Sequence, residues 1–383
     1  MARRSRWSVV RARTRSGTAR CPASAVRICS CTPLRGPPSH AGPNCTLSTV
    51  TLLYVTHEDC LVHDPGSGHP ERPQRLLAAR AGLDDSGIGA LVLAAEPVSP
   101  GAIAAVHGIE VSRRLALLDA QGGGLIDPDT VMSIGSQRAA QLAAGSALVA
   151  MREIDAGHAT RAFCAVRPPG HHATPLRSMG FCLLNSIAIA AATLRDRGER
   201  VAIVDLDAHH GNGTQDAFYD DPSVLFASVH QWPFYPGTGA IDEIGTGDAR
   251  GTTINVPLPA GSTGDVYLDA IDRVVGPALA RFAPTWVLLS MGYDAHRDDP
   301  LTAMGLTSGD YALLVAALLD VIPEAKVIAL LEGGYDLDAV RRGVHATLTA
   351  FAGSAELPER PSSGSRRRDM VDAVVQMHRG VLG

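Results

Sequence analysis

Short, continuous apolar runs recur along the chain from about residue 51, and longer Ala- and Leu-rich stretches of helical periodicity lie between them. The clearest runs, five or six residues each, are TLLYV (51–55), AFCAV (162–166), VAIVD (201–205), VLFASV (224–229), WVLLSM (286–291) and VIALL (327–331). Continuous rather than alternating apolar runs are typical of strands covered on both faces. Helices are predicted at 136–153, 185–197, 265–281 and 308–320. This alternation predicts an α/β domain in which helices sandwich a single parallel β-sheet.

Composition narrows the class of protein. The 383 residues are 45% hydrophobic, and a formal net charge of -5 argues against a nucleic-acid partner. No apolar run approaches the roughly 20 residues needed to span a bilayer, so no membrane partner is predicted. Four of the seven cysteines fall in the first 45 residues, and the other three show no paired spacing. This pattern predicts a cytoplasmic protein without a disulfide framework.

The chain divides into three parts by composition. Residues 1–48 form a basic segment, with nine arginines and no Asp or Glu among the first 45 residues. They are interpreted as a disordered tail or a start codon assigned too early, with a tail that touches nucleic acid or a membrane as the alternative. Residues 49–353 form the main domain. Residues 354–383 are predicted to be a linker followed by a C-terminal helix.

Polar clusters stand where the apolar runs end. They are RPPGHH (167–172), DLDAHH (205–210), HQWPFYPGTG (230–239), GYDAHRDD (292–299) and EGGYD (332–336). In open α/β sheets, ligands bind outside the carboxyl ends of the strands. The five clusters are therefore expected to converge on one crevice.

The cluster after VAIV has the spacing of a metal site. Asp207 and His209 are two residues apart at a strand end, so their side chains can point the same way and share one ion. Asp294, just past another strand, is the best candidate for a third ligand. This donor set suits Zn²⁺, Fe²⁺ or Mn²⁺, and a catalytic zinc needs three protein ligands and an open position.

Two further clusters carry groups that move protons. His171 and His172 follow Pro-Pro-Gly on a rigid loop, and imidazoles beside a metal indicate acid–base catalysis. Asp205 is a spare carboxylate that could orient one of them. Tyr335 follows a double glycine, so its phenol could approach the metal and donate a hydrogen bond to an oxyanion.

Together these stretches resemble the histone deacetylase superfamily, which also includes acetylpolyamine amidohydrolases and acetoin-utilisation proteins. The resemblance covers roughly residues 51–352. The particular forms of the motifs HPERP, HHGNGTQ and EGGY look like those of the class II branch. The matching stretches, in order, are HPERPQR (69–75), RPPGHHA (167–173), GFCLLN (180–185), DLDAHHGNGTQDAF (205–218), YPGTG (235–239), GYDAHRDDPL (292–301) and EGGYD (332–336).

The resemblance implies an arginase/deacetylase-like fold, and it makes 49–353 a zinc deacetylase domain. One zinc would lie on Asp207, His209 and Asp294. The implied catalytic residues are His172 as general base and then acid, Tyr335 as oxyanion donor, and Asp205 as the partner of His171.

The resemblance also implies a structural potassium ion and a substrate tunnel. Asp205 and Ser228 would bind the potassium. The tunnel would be lined by Gly180, Phe181 and Tyr235. Asp127 is chosen over Asp129 as the aspartate at the tunnel mouth, and Asp298 and Asp299 are interpreted as ordinary loop carboxylates.

The implied activity is a zinc-dependent amidohydrolase that removes acetyl or other acyl groups from an acylated amine such as acetyl-lysine. Acetylated polyamines and small acylated metabolites are alternative substrates. An arginase-like ureohydrolase with two manganese ions and a non-catalytic binder of acyl-amines are alternative functions. The sequence leaves the oligomeric state open, a homo-oligomer included.

Overall fold

The structure is a computed structural model that describes residues 52–354, 356–365 and 368–379. The basic segment predicted at 1–48 lies outside these residues. Within the described part of the chain, the strands are β1 (Leu52–Thr56), β2 (Ala90–Ala94), β3 (Gly123–Leu125), β4 (Val131–Ser133), β5 (Arg161–Cys164), β6 (Val201–Asp205), β7 (Val224–Gln231), β8 (Thr253–Leu258), β9 (Trp286–Met291) and β10 (Lys326–Leu331).

The same residues form helices between the strands. The α-helices are α1 (Gln74–Ser86), α2 (Pro100–Ala104), α3 (Ile109–Ala120), α4 (Ser136–Asp155), α5 (Ser186–Arg195), α6 (Asn212–Phe218), α7 (Gly264–Ala270), α8 (Gly276–Phe282), α9 (Ser308–Val321), α10 (Leu337–Phe351) and α11 (Asp369–Met377). Short 3-10 helices occur at Glu58–Leu61 and Gly247–Ala249, and a π-helical turn, Ile271–Val275, joins α7 to α8. None of the described helices is both long enough and apolar enough to cross a membrane.

Eight strands pair into one sheet in the order β2-β1-β5-β10-β9-β6-β7-β8, and every pairing in it is parallel. The strands β3 and β4 form a separate antiparallel pair. Helices α4 and α5 pack on the sheet, while α1 and α9 pack against α10, and all three share the main apolar core with the strands. The prediction of a parallel sheet between helical layers is confirmed.

All six apolar runs form strands of this sheet, namely β1, β5, β6, β7, β9 and β10. Strands β2 and β8 of this sheet were not predicted, and in β8 the apolar residues are interrupted by Asn255 and Pro257. Proline is tolerated there because β8 is an edge strand. The helix predicted at 265–281 is divided in two by the π-helical turn.

The five strands that precede the polar clusters are neighbours in the sheet, in the order β5-β10-β9-β6-β7. Because they are parallel, their carboxyl ends lie along one edge. Strands β6 and β9 are buried along their whole length. The polar groups at this edge therefore follow strands that are packed on both faces.

Candidate active site

The three predicted metal ligands come together beyond strands β6 and β9. Ligand atoms of Asp207, His209 and Asp294 all lie within 4.8 Å of one another, and all three residues are buried. His209 Nδ1 is 3.2 Å from Asp207 Oδ1 and 2.9 Å from Asp294 Oδ2. Backbone N–H groups hold both carboxylates: Gly333 N donates to Asp207 Oδ2 at 2.7 Å, and Ala208 N donates to Asp294 Oδ1 at 2.8 Å.

Two glycines make room for these carboxylates. A Cβ on Gly292 would lie 2.0 Å from Asp207 Oδ2. A Cβ on Gly333 would lie 2.3 Å from Asp294 Oδ2 and 2.5 Å from Asp207 Oδ2. Any larger residue at either position would displace the carboxylates, so the glycines of GYDAH and EGGYD are needed by the site.

The electrostatics of the trio fit a bound divalent cation. Burial alone would raise the pKa of Asp207, but the nearby imidazoles of His171 and His209 outweigh burial and hold that pKa well below its usual range. Burial and the charge of Asp207 raise the pKa of Asp294 to about 7. Burial opposes a charge on His209, yet hydrogen bonds to the two carboxylates raise its pKa to about 10. One positive charge is thus held between two buried carboxylates, as a metal ion would be, and the oxygen, nitrogen and oxygen donors suit zinc.

The two histidines after β5 have different partners. His171 Nδ1 is 3.0 Å from Asp205 Oδ2, and His172 Nδ1 is 2.8 Å from Asn212 Oδ1. A carbonyl oxygen can only accept, so His172 donates from Nδ1 and its neutral ring leaves Nε2 unprotonated. His172 can therefore accept a proton at Nε2.

Because their surroundings differ, the two imidazole rings have different charge states. Burial disfavours a charged His171, but Asp207 and Asp205 outweigh burial and raise its pKa to about 10. Burial, together with the charges of His171 and His209, holds the pKa of His172 well below its usual range. His171 is the charged ring and His172 the neutral one, an arrangement that suits a base and a fixed cation.

Asp205 and Ser228 are cross-strand neighbours in the β6–β7 pairing, and both are fully buried. Asp205 Oδ1 accepts from Asp207 N at 3.1 Å, while Ser228 Oγ lies 2.9 Å from His230 Nδ1. The two predicted potassium ligands are therefore adjacent. Potassium binding itself stays a prediction.

Tyr335 lies just beyond the carboxyl end of strand β10. Its backbone N donates to Asp299 Oδ2 at 2.7 Å, and Leu301 N donates to Asp299 Oδ1 at 2.9 Å. Burial raises the pKa of the Tyr335 phenol well above its usual range, although Arg75 opposes the shift. Asp299 is thus buried and holds the backbone of Tyr335. It therefore differs from the ordinary loop carboxylate that was predicted. Asp298 is half exposed.

The predicted tunnel residues lie beside these groups. A Cβ on Gly180 would lie 2.6 Å from the His172 ring, so only glycine allows this close approach. Phe181 meets Tyr335 edge to face at 5.7 Å, and Tyr235 meets His172 edge to face at 5.1 Å. The structure therefore brings Gly180, Phe181 and Tyr235 around the catalytic candidates.

The two candidate mouth aspartates differ in what their carboxylates do. Asp127 Oδ1 accepts from Asp129 N at 3.2 Å and Thr130 N at 2.7 Å, so it closes its own turn. Asp129 is exposed, and its Oδ1 accepts from Thr130 Oγ1, which in turn accepts from Phe181 N. Asp127 at the tunnel mouth stays a prediction; Asp129 is the more exposed alternative, and Asp127 Oδ1 already accepts from two backbone donors.

A family model described as "Histone deacetylase domain" matches residues 69–351. The chain belongs to the histone deacetylase family. It is 39% identical over 313 residues to "Probable deacetylase" of Archaeoglobus fulgidus, covering 79% of this chain and 87% of that protein. It is 38% identical over 277 residues to "Histone deacetylase-like amidohydrolase" of Pseudomonas aeruginosa, covering 70% of this chain and 73% of that protein.

A solved structure gives the same assignment for the fold. "Crystal Structure of HDA15 HD domain" matches with a TM-score of 0.79 and 34% identity, and the match covers 88% of this chain and 95% of that chain. The predicted deacetylase-like α/β fold and the predicted membership of the histone deacetylase family are both confirmed.

Some residues that shape this deacetylase site were not assigned roles from sequence. They are Glu71, Arg75, Arg167, Asp299 and Glu332, all buried. Three of them, Glu71, Arg75 and Arg167, lie within the quoted HPERPQR and RPPGHHA stretches. The sequence signal that could have identified them was a charged residue inside a recognised motif. His210 has Nδ1 2.8 Å from Thr238 Oγ1 and Nε2 3.1 Å from Gln215 Oε1, so both of its ring nitrogens have partners within the protein.

Proposed function

We propose that this chain is a zinc-dependent amidohydrolase that removes an acetyl or related acyl group from an acylated amine such as acetyl-lysine. One observation carries the proposal: three buried metal-ligand side chains, an imidazole with a free Nε2 and a protonated phenol converge at one edge of the sheet. Asp207, His209 and Asp294 would hold the zinc. When bound, zinc would polarise the amide carbonyl and lower the pKa of an attacking water.

His172 is the proposed proton carrier. Its ring centroid lies 5.9 Å from that of His209, so the ring is next to the proposed metal ligands. The neutral ring takes the proton of the attacking water at Nε2 and later donates it to the leaving amine. Asn212 keeps the tautomer in place by accepting from Nδ1.

Tyr335 and His171 have supporting roles in this proposal. The raised pKa keeps the Tyr335 phenol protonated, so it can donate a hydrogen bond to the negative charge that develops on the carbonyl oxygen. His171 stays positively charged against Asp205 and adds a fixed positive charge beside His172. The resemblance implied the oxyanion role of Tyr335 and the pairing of His171 with Asp205.

The surroundings of Tyr335 favour a substrate larger than a small acylated metabolite. A groove of about 620 Å³ opens beside Tyr335 between the segment 64–74 and Pro300–Leu301. An acyl-lysine in the tunnel would leave its flanking peptide residues at this groove. The proposed mouth residue Asp129 could accept hydrogen bonds from the N–H groups of such a peptide.

The alternatives predict different measurements. A ureohydrolase with two manganese ions needs more carboxylate ligands, and the described residues contain one metal-ligand group, the trio of Asp207, His209 and Asp294. Iron in place of zinc is compatible with the same donors. A non-catalytic binder would bind acyl-amines without releasing amine or acetate.

The proposed function is tested with a panel of acyl-lysine peptides, acetylpolyamines and small acyl-amines, assayed on protein loaded with zinc, iron or manganese. We expect amine and acetate release from acetyl-lysine peptides with one metal ion per chain, and inhibition by a hydroxamate. Faster turnover of acetylpolyamines would change the substrate class. Binding without hydrolysis, or two manganese ions per active chain, would overturn the proposal.

A further inference from the structure

Glu332 is a buried acid next to the catalytic candidates, with only 1% of its surface exposed. Its Oε2 accepts from Gly170 N at 2.6 Å and from His171 N at 3.1 Å. Both donors belong to the segment 167–172, called here the histidine loop. The Glu332 carboxylate therefore holds the backbone of this loop directly before His172.

A second buried carboxylate holds the beginning of the same loop. Glu71 and Arg167 form two parallel hydrogen bonds, from Nε to Oε1 at 2.8 Å and from Nη2 to Oε2 at 2.6 Å. Arg167 Nη1 also donates to the carbonyl oxygens of Cys60 and His63. Burial would raise the pKa of Glu71, but Arg167 and His63 outweigh burial and hold it well below its usual range. The pair is therefore fully ionised and geometrically defined.

Arg75 connects this pair to the loop that carries Tyr335, residues 332–336, called here the tyrosine loop. Its Nη1 donates to Glu71 Oε1 at 3.0 Å, its Nε donates to the Gly334 carbonyl at 2.5 Å, and its Nη2 donates to the Glu332 carbonyl. The guanidinium carbon lies 5.0 Å from the centre of the Tyr335 ring. One buried carboxylate, Glu71, is thus bonded to Arg167 of the histidine loop and to Arg75, which holds the tyrosine loop.

We propose that Glu71, Arg75, Arg167 and Glu332, the loop clamp, position His172 relative to Tyr335 for the proton transfers of the proposed function, on which this inference rests. A buried ion network often adds no more stability than apolar residues of the same volume, but its directional bonds define distances. Misplacement of a reacting group by about 1 Å can cost on the order of 10²-fold in rate.

The sharpest variant is Glu332→Gln, which keeps the side-chain shape and replaces the carboxylate oxygen that accepts from both N–H groups with a neutral amide oxygen, a weaker acceptor. We expect kcat to fall at least about tenfold, with KM changed less than about twofold and zinc content unchanged. Asp310→Asn is the matched control. Asp310 is a fully buried carboxylate that accepts from Thr307 N at 2.7 Å and Ser362 N at 3.1 Å, away from both loops. It should lower thermal stability to a similar degree and leave the kcat of folded protein unchanged.

Arg167→Lys provides a second variant if Glu332→Gln does not fold, because lysine keeps the charge and loses the two parallel bonds to Glu71. The same loss of kcat at constant KM and zinc content is expected. Equal losses of kcat in Asp310→Asn and in the clamp variants would overturn the proposal, because they would show that the clamp contributes only to the stability of the fold. A wild-type kcat in a folded clamp variant would also overturn the proposal.

Two measurements do not depend on turnover. We expect the zinc-loaded Glu332→Gln protein to bind a hydroxamate at least about tenfold more weakly than wild type, and its crystal structure to show a shifted histidine loop. An unshifted loop with wild-type hydroxamate affinity would overturn the clamp. A wild-type chain that hydrolyses none of the acyl-amines defeats the proposed function, while these two measurements still decide whether the clamp positions the loop.

Discussion

At the floor of the site, Asp207 and Asp294 are fully buried, and each carboxylate accepts a hydrogen bond from backbone. At the proposed mouth, Asp129 is exposed, and 37% of Tyr235 is exposed. Both regions were expected to form one site, yet only the floor is held by many simultaneous constraints. Substitutions at the floor should therefore remove the chemistry, and substitutions at the mouth should change substrate binding.

The largest effect is expected from Asp294→Asn. The amide oxygen can still accept from Ala208 N, so the fold should persist, but one anionic metal ligand is lost. We expect bound zinc to drop and kcat to fall by on the order of 10³ or more. Metal analysis and steady-state kinetics measure both, with Asp298→Asn on the same loop as the control. A zinc-loaded, active Asp294→Asn protein would show that Asp294 is not a required metal ligand.

Tyr335→Phe tests the floor without touching the metal ligands. The ring can keep its contacts with Arg75 and Phe181, and only the hydroxyl donor is removed. We expect kcat to fall by about 10²–10³ with unchanged zinc content. Turnover near that of wild type would exclude the phenol as the oxyanion donor.

His107 connects the segment after the histidine loop to the start of α5, because its Nδ1 donates to the Thr174 carbonyl at 2.9 Å and its Nε2 accepts from Asn185 N at 2.9 Å. Burial lowers its pKa to about 4, from 6.5 in the unfolded chain. Between these pH values the unfolded state takes up the proton first, so the free energy of unfolding falls as pH falls. From pH 6.5 to 5 the loss from this group should be about 2 kcal/mol.

Denaturant unfolding at pH 6.5 and pH 5 measures this loss, with His107→Gln as the comparison. Glutamine can offer a donor and an acceptor but does not titrate, so the variant should lose less stability on acidification than wild type. Equal losses in the two proteins would show that His107 does not carry this pH dependence.

A smaller effect is expected from Asp129→Asn at the mouth. Loss of one charged hydrogen-bond acceptor should raise KM for peptide substrates about tenfold and change kcat little. Asp127→Asn is the comparison, because Asp127 serves its own turn. A larger rise of KM in Asp127→Asn than in Asp129→Asn would restore the aspartate predicted from sequence.

The smallest effect is expected from Tyr235→Phe. The ring keeps its edge-to-face contact with His172, and the change affects a partly exposed hydroxyl. We expect kcat and KM to stay within about twofold of wild type. A large fall in kcat would show that the mouth takes part in the chemistry and would remove the contrast with the floor.

Sequence alone determined the strands β5, β6, β7, β9 and β10 and the polar residues at their carboxyl ends. It did so because a buried parallel strand needs a continuous apolar run, and this requirement is local. The candidate trio of Asp207, His209 and Asp294 followed from spacing and position within that pattern. The family resemblance supplied the roles that were then proposed for His172 and Tyr335.

Only the tertiary structure decided which strands are neighbours and which carboxylate bonds to which donor. The contact of Glu332 with Gly170 spans 162 residues, and that of Asp294 with Ala208 spans 86. Asp127 and Asp129, or Asp298 and Asp299, are the same residue type two positions or one position apart, so no local pattern separates them. Burial and the direction of each hydrogen bond separate them, and both depend on the packing of segments distant in the chain.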